Sequence, residues 1–158
     1  MNQEYDLPNG DQRVQFSGRM LAKRSSQQGP EDLRWTEIEM YRTVGGKYIV
    51  HKTGRSVVWH NPGSQCASGT RVPFEAIATG FLPCPRCAKN LSAGAYVQTE
   101  TDRHTVHVSE SARGAVESCY TQDGDKVAYL TFPARQVLAE VSMIDEDIKN
   151  AFMVQRVD

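Results

Sequence analysis

Cys84-Pro85-Arg86-Cys87 constrains this chain more than any other stretch. Two thiols separated by two residues can be aimed at one point by a tight turn, and Pro85 assists by fixing its own φ. The chain has four cysteines, and a third, Cys66, lies upstream with His60 ahead of it. A histidine and three cysteines in two pairs are the donor set of a tetrahedral structural zinc site. Five residues separate His60 from Cys66, and Asn61, Pro62, Gly63 and Ser64 among them favour a turn that folds both inward. The expected ligands are therefore His60, Cys66, Cys84 and Cys87 for one Zn2+, with Cys119 and His51 as rivals of His60 for the fourth position.

Other readings of the pair fit less well. A redox Cys-x-x-Cys opens a helix after a strand in a βαβ unit, and Gly80-Phe81-Leu82-Pro83 gives no such setting. A disulfide framework needs an oxidising compartment. Zinc deaminases share Pro-Cys-x-x-Cys, which Pro83 to Cys87 satisfies, but they also need a His-x-Glu, and His60-Asn61-Pro62 and His51-Lys52-Thr53 both lack the glutamate. Nucleotide-binding loops, HExxH and GxSxG are absent from the sequence.

Trp59-His60, the run Phe74 to Thr79, and Gly80-Phe81-Leu82-Pro83-Cys84-Pro85-Arg86-Cys87 together resemble the metal-binding module of Ada-type alkylation-repair proteins and its nuclease-attached relatives. The resemblance covers residues 59–88, and its specific part is the Pro-Cys-x-x-Cys end. The first ligand pair is spaced more widely than in that family. His60 stands where the repair proteins carry a methyl-accepting cysteine, so that chemistry does not transfer. The resemblance implies a zinc-held fold and nucleic acid as a partner.

The 39% hydrophobic content is enough for a core in 158 residues. No apolar run approaches the ~20 residues of a membrane helix, and the polar start MNQEYDLPNGDQ lacks a signal peptide's apolar stretch. A cytoplasmic location without a membrane is expected, where thiols stay reduced. The net charge of −1 is unevenly spread: residues 35–98 carry seven bases against three acids, residues 99–158 six against eleven. A basic segment around the zinc ligands suits phosphate contact. The candidate contacts are Arg42, Lys47, Lys52, Arg55, Arg71, Arg86 and Lys89.

The expected fold is α+β: an antiparallel β-meander, a small structural zinc module and a C-terminal amphipathic helix. Residues 1–12 read as a flexible arm, 13–92 as meander plus zinc module, and 93–158 as an α+β hairpin and helix packed on the preceding part. Strands are expected at Val14–Ser25, with Phe16, Met20 and Ala22 on one face, and at Trp35–Thr43. Further strands are expected at Lys47–Lys52, at Arg55–His60 after a turn at Thr53-Gly54, and at Lys126–Phe132. A hairpin joins Ala95–Thr101 to His104–Ser109 with solvated histidines, and Ser109 caps a short helix. Pro73 and Gly80 bound another short helix whose Phe74 and Ile77 cover the metal's sulfurs. Val137, Val141, Ile144, Ile148 and Phe152 recur at helical spacing after Pro133, giving one helix to Phe152 with that stripe buried.

These features favour a non-enzymatic zinc-containing protein that binds nucleic acid. The alternative is an adaptor or inhibitor that meets a protein through the acidic tail, with zinc purely structural. An unrecognised metalloenzyme comes third.

Overall fold

The computed structural model describes residues 1–29, 32–61, 71–72, 82–87, 97–99 and 102–154, with backbone alone at 71–72 and 97–99. The expected helix from Val72 to Gly80 lies outside these residues, apart from Val72. The elements are β1 (Gln3–Asn9), β2 (Gln12–Ser25), β3 (Arg34–Thr43), β4 (Tyr48–Ser56), β5 (Val58–His60), β6 (Arg71–Val72), β7 (Leu82–Pro83), β8 (Val97–Thr99), β9 (Arg103–Ser109), α1 (Ala112–Ser118), α2 (Phe132–Ser142) and α3 (Glu146–Met153). The fold is α+β. A five-stranded sheet has the order β1-β2-β3-β4-β9, and a four-stranded sheet the order β6-β8-β5-β7. The chain divides into two compact units: residues 1–26, 36–53 and 104–158, and residues 27–35 and 54–103. This division is discontinuous, unlike the consecutive segments expected from the sequence. No helix among the described residues is long and apolar enough to cross a membrane.

In the first unit the meander begins earlier than expected. Residues 3–9 are not a flexible arm but β1, paired antiparallel with β2 from Gln3↔Gly18 to Asn9↔Gln12. The connection is two residues long, and Gly10 supplies the positive φ (60°) that such a turn requires. Gly18 lies against β3, and a Cβ there would lie 2.4 Å from the Arg42 carbonyl oxygen. Leu21 is an extra residue on β2: Met20 pairs with Tyr41, while Ala22 pairs with Met40. This bulge turns Ala22 to the opposite face from Phe16, so the expected shared face breaks at Leu21.

Alternation along β3 and β4 places two cores on the two sheet faces. Ala22, Ile38, Met40, Tyr48 and Val50 pack with Ala115, Val116 and Cys119 at α1, Ala134, Val137, Leu138 and Val141 of α2, and Ile148 of α3. Tyr41, Ile49 and Val106 pack on the other face with Tyr5, Leu7, Val14 and Phe16. The Tyr5, Phe16 and Tyr41 rings meet at centroid distances of 4.7–5.3 Å, spacings that favour aromatic pairs.

The C-terminal region holds two helices where the periodicity indicated one. Thr131 caps α2, accepting a hydrogen bond from the Ala134 amide. The chain leaves α2 at Met143, and Asp145 caps α3 by accepting from the Ile148 amide. Asp145 also accepts from the Tyr48 hydroxyl at 2.9 Å and pairs with Arg42 at 2.7 Å. These contacts oppose continuing a helix through residue 145, and they swing Ile144 out to 62% exposure. The expected burial of Ile144 is thus corrected, whereas Val137, Val141 and Ile148 are buried.

Four smaller expectations are also corrected. Ser111, not Ser109, caps α1. Lys126–Phe132 forms no strand; Tyr129 makes an isolated bridge to Thr121 beyond the turn at Gly124. β4 runs straight through Thr53-Gly54 to Ser56, because Gly54 keeps an ordinary negative-φ strand backbone. β8 and β9 belong to different sheets and form no hairpin.

Candidate metal centre

The second unit assembles its donors through backbone pairing. β5 carries Val58, Trp59 and His60, and β7 lies parallel to it with Trp59 opposite Pro83. The Leu82 amide donates to Val57 O at 2.7 Å and the Cys84 amide to Trp59 O at 3.0 Å. Cys84 is thereby fixed beside His60. The Cys87 amide then donates to Cys84 O at 3.3 Å, closing a four-residue turn with Pro85 in its second position, where proline's fixed φ suits turns of types I and II.

One donor atom from each of His60, Cys84 and Cys87 lies within 4.8 Å of the other two. His60 Nδ1 is 3.4 Å from Cys87 Sγ. Tetrahedral zinc, with Zn–N near 2.0–2.1 Å and Zn–S near 2.3 Å, separates such donors by about 3.5–3.8 Å. His60 and Cys84 are 3% and 4% exposed, and Cys87 is half-buried. Cys66 lies outside the described residues. Neither rival fourth ligand belongs to the donor group: Cys119 is in the helix-covered core, and His51 is on the inner face of β4.

The basic candidates divide. Arg42 is committed to Asp145 and Asp147 and lies over the Tyr48 ring. The Lys52 ammonium donates to Tyr120 O at 2.9 Å, and burial lowers its pKa despite the nearby Cys119. Arg55 pairs with Asp102 at 2.6 Å. Lys47 is exposed and 3.8 Å from the still more exposed Glu110, and Arg86 is exposed on the cysteine turn. The Arg71 side chain and Lys89 lie outside the described residues.

A second polar cluster, on the first unit's inner face, was not anticipated. Glu39, Tyr41, His51 and Thr53 are all buried there, and His104 is half-buried rather than solvated. His51 Nε2 and His104 Nδ1 are 3.0 Å apart, and Thr53 Oγ1 is 3.3 Å from each. His51 Nδ1 lies 3.4 Å from Glu39 Oε1, close enough for charge pairing but out of hydrogen-bond alignment. Tyr41 donates its hydroxyl proton to Glu39 Oε2. Burial pushes the Glu39 carboxyl up, but the neighbouring His51 ring and the Tyr41 hydroxyl outweigh it and leave the group below its ordinary value. The alternation that puts Glu39 opposite Ile38 was visible in the sequence; the pairing that brings β9 beside β4 was not.

Compared with family models, curated proteins and solved structures, the chain matches none. The likeness to the Ada-type modules rests on the residues quoted for it alone.

Proposed function

We propose that this chain is a non-enzymatic zinc-containing binding protein, in which His60, Cys66, Cys84 and Cys87 hold one structural zinc ion. The observation that carries the proposal is the convergence of His60, Cys84 and Cys87, two of them nearly buried, on a single point. Three soft or borderline donors in a dry setting suit zinc better than the hard cations that prefer oxygen. With Cys66 as the fourth ligand the site closes, and it serves folding rather than catalysis. A reducing, cytoplasmic setting keeps such thiols available.

Nucleic acid is the partner placed first. Support comes from the basic segment around the ligands and from Arg86, which projects from the metal-binding turn. Arg42, Lys52 and Arg55 are held in contacts within the chain, and Lys47 in a longer, exposed pairing with Glu110, so among the described candidates recognition falls first to Arg86 and then to Lys47. The test is titration of labelled single- and double-stranded oligonucleotides at two salt concentrations. Binding that weakens steeply with salt, and weakens further in Lys47→Ala/Arg86→Ala, supports the reading. No binding at low salt removes it.

One observation favours the adaptor reading instead. Phe132, Met143 and Ile144 are 71%, 85% and 62% exposed around α2. Large exposed apolar side chains of this kind mark protein contacts more often than phosphate contacts.

A further inference from the structure

Among the described lysines, Lys23, Lys47, Lys126 and Lys149 are exposed and Lys52 alone is half-buried. Strand alternation explains its place. Val50 faces the helix-covered core, so Lys52, two residues further along β4, emerges on that same face. Its ammonium reaches the C-terminal end of α1 and donates to the Tyr120 carbonyl oxygen at 2.9 Å. The neighbouring edge strand β9 presents His107 on the same side, because Val106 before it packs in the opposite core. Lys52, His107 and the buried Cys119 gather at one rim of the helix-covered face.

This amine has no counter-charge. Among the described residues no carboxylate pairs with Lys52, and its hydrogen bond goes to a neutral carbonyl. Burial pushes the Cys119 thiol up to about 12, so it stays neutral at physiological pH. Glu117, one turn back on α1, is exposed and does not pair with Lys52. Ile38 and Val50, on the sheet beneath, are apolar. The carbonyl end of α1 favours a cation, but desolvation disfavours it. Desolvation holds the Lys52 amine below the ordinary lysine range, against the smaller opposing pull of Cys119.

We propose that Lys52 is a nucleophilic amine and a modification site, acylated by small activated acyl donors, acyl phosphates or acyl thioesters, in preference to the exposed lysines. A lysine partly withdrawn from water and without a carboxylate partner keeps a larger share of free amine, the form that attacks. The nitrogen lone pair adds to the acyl carbon and a C–N bond forms. The C–O bond to phosphate, or the C–S bond to the thiol, breaks, and the leaving group departs with the electron pair. The surplus proton on nitrogen passes to water.

The product suits the site. The acylated nitrogen keeps one N–H, which still satisfies the Tyr120 carbonyl. It also loses a charge that the surroundings solvate poorly. His107 registers the change. Partial desolvation, and secondly the Lys52 ammonium, hold its ring below the ordinary histidine value. Acylation removes the second of these, so His107 then titrates at higher pH.

The test treats the full chain near pH 7 with limiting acetyl phosphate and, separately, with acetyl-coenzyme A, and reads each lysine's acetylation rate by mass spectrometry. Lys52 is expected to react several-fold faster than Lys126 and Lys149 with at least one donor, and the faster donor identifies the source. The preference should vanish in urea, and also as pH approaches about 10.4, where exposed amines lose their protons too. Lys52 reacting no faster than the exposed lysines with either donor, or an equal preference in urea, overturns the proposal. The His107 titration, followed by NMR, should move upward on acetylation. Lys52→Gln should reproduce that movement and Lys52→Arg should not. A His107 titration unmoved by acetylation also overturns it. If Lys52→Gln fails to fold, the acetylated native chain decides alone.

Discussion

His60 Nδ1 and Cys87 Sγ stand 3.4 Å apart across 27 positions of sequence. The parallel pairing of β5 with β7 sets Cys84 beside His60, and the turn closed by the Cys87 amide brings the second sulfur round. Main-chain hydrogen bonds thus bring three donors of a candidate metal site, His60, Cys84 and Cys87, within 4.8 Å of one another.

The elbow between α2 and α3 separates two isoleucines that the helical period treats alike. Ile148 is fully buried and Ile144 is mostly exposed. Ile148→Ala is expected to destabilise the protein by about 2–5 kcal/mol. Ile144→Ala is expected to change stability by no more than about 0.5 kcal/mol. Urea denaturation of the two variants checks both, and equal losses would mean that one continuous helix buries the whole stripe.

Asp145 is the hinge of that elbow. It caps α3, accepts from Tyr48, and pairs with Arg42 while fully buried itself. Asp145→Ala removes all three contacts and is expected to cost about 3 kcal/mol or more. Asp145→Asn keeps an acceptor for the cap and loses the charge, so it is expected to cost less. Denaturation midpoints for the pair test the order.

Cys119 lies at the end of α1 with no exposed surface. Burial pushes its thiol up to about 12, and the nearby Lys52 ammonium only partly opposes this. A thiol reagent reacts through the thiolate. Native protein at pH 8 should therefore leave Cys119 unmodified, and urea should unmask it at the global unfolding midpoint. Mass spectrometry locates the label; rapid modification of folded protein would contradict this placement.

Much of the first unit could be read directly from residue order. Alternation set Ile38 and Met40 on the opposite face from Tyr41, and Tyr48 and Val50 on the opposite face from Ile49; strand pairing then joins these sets into the two cores. Leu21 escaped notice because a bulge leaves the local pattern intact while reversing the face of everything after it. The break at Asp145 was hidden for a related reason: its cause is Tyr48 and Arg42, about a hundred positions away. β1 was missed because Pro8, Asn9 and Gly10 look like punctuation, although Pro8 is tolerated at the sheet edge that β1 occupies. At the metal centre the sequence identified His60, Cys84 and Cys87 as partners through ligand type and spacing. Which of the basic candidates pair within the chain, as Arg42, Lys47, Lys52 and Arg55 do, depends on contacts distant in sequence.

The central claim is one structural zinc ion per chain, held by His60, Cys84, Cys87 and Cys66. Its most direct test is elemental analysis of freshly purified, reduced protein, alongside Cys84→Ser, with thermal unfolding before and after chelation. The account predicts one zinc per chain in the native sequence, loss of most of it in Cys84→Ser, and a lower melting temperature once the metal is removed. Fully folded native protein with no stoichiometric metal, and a melting temperature indifferent to chelator, would contradict it.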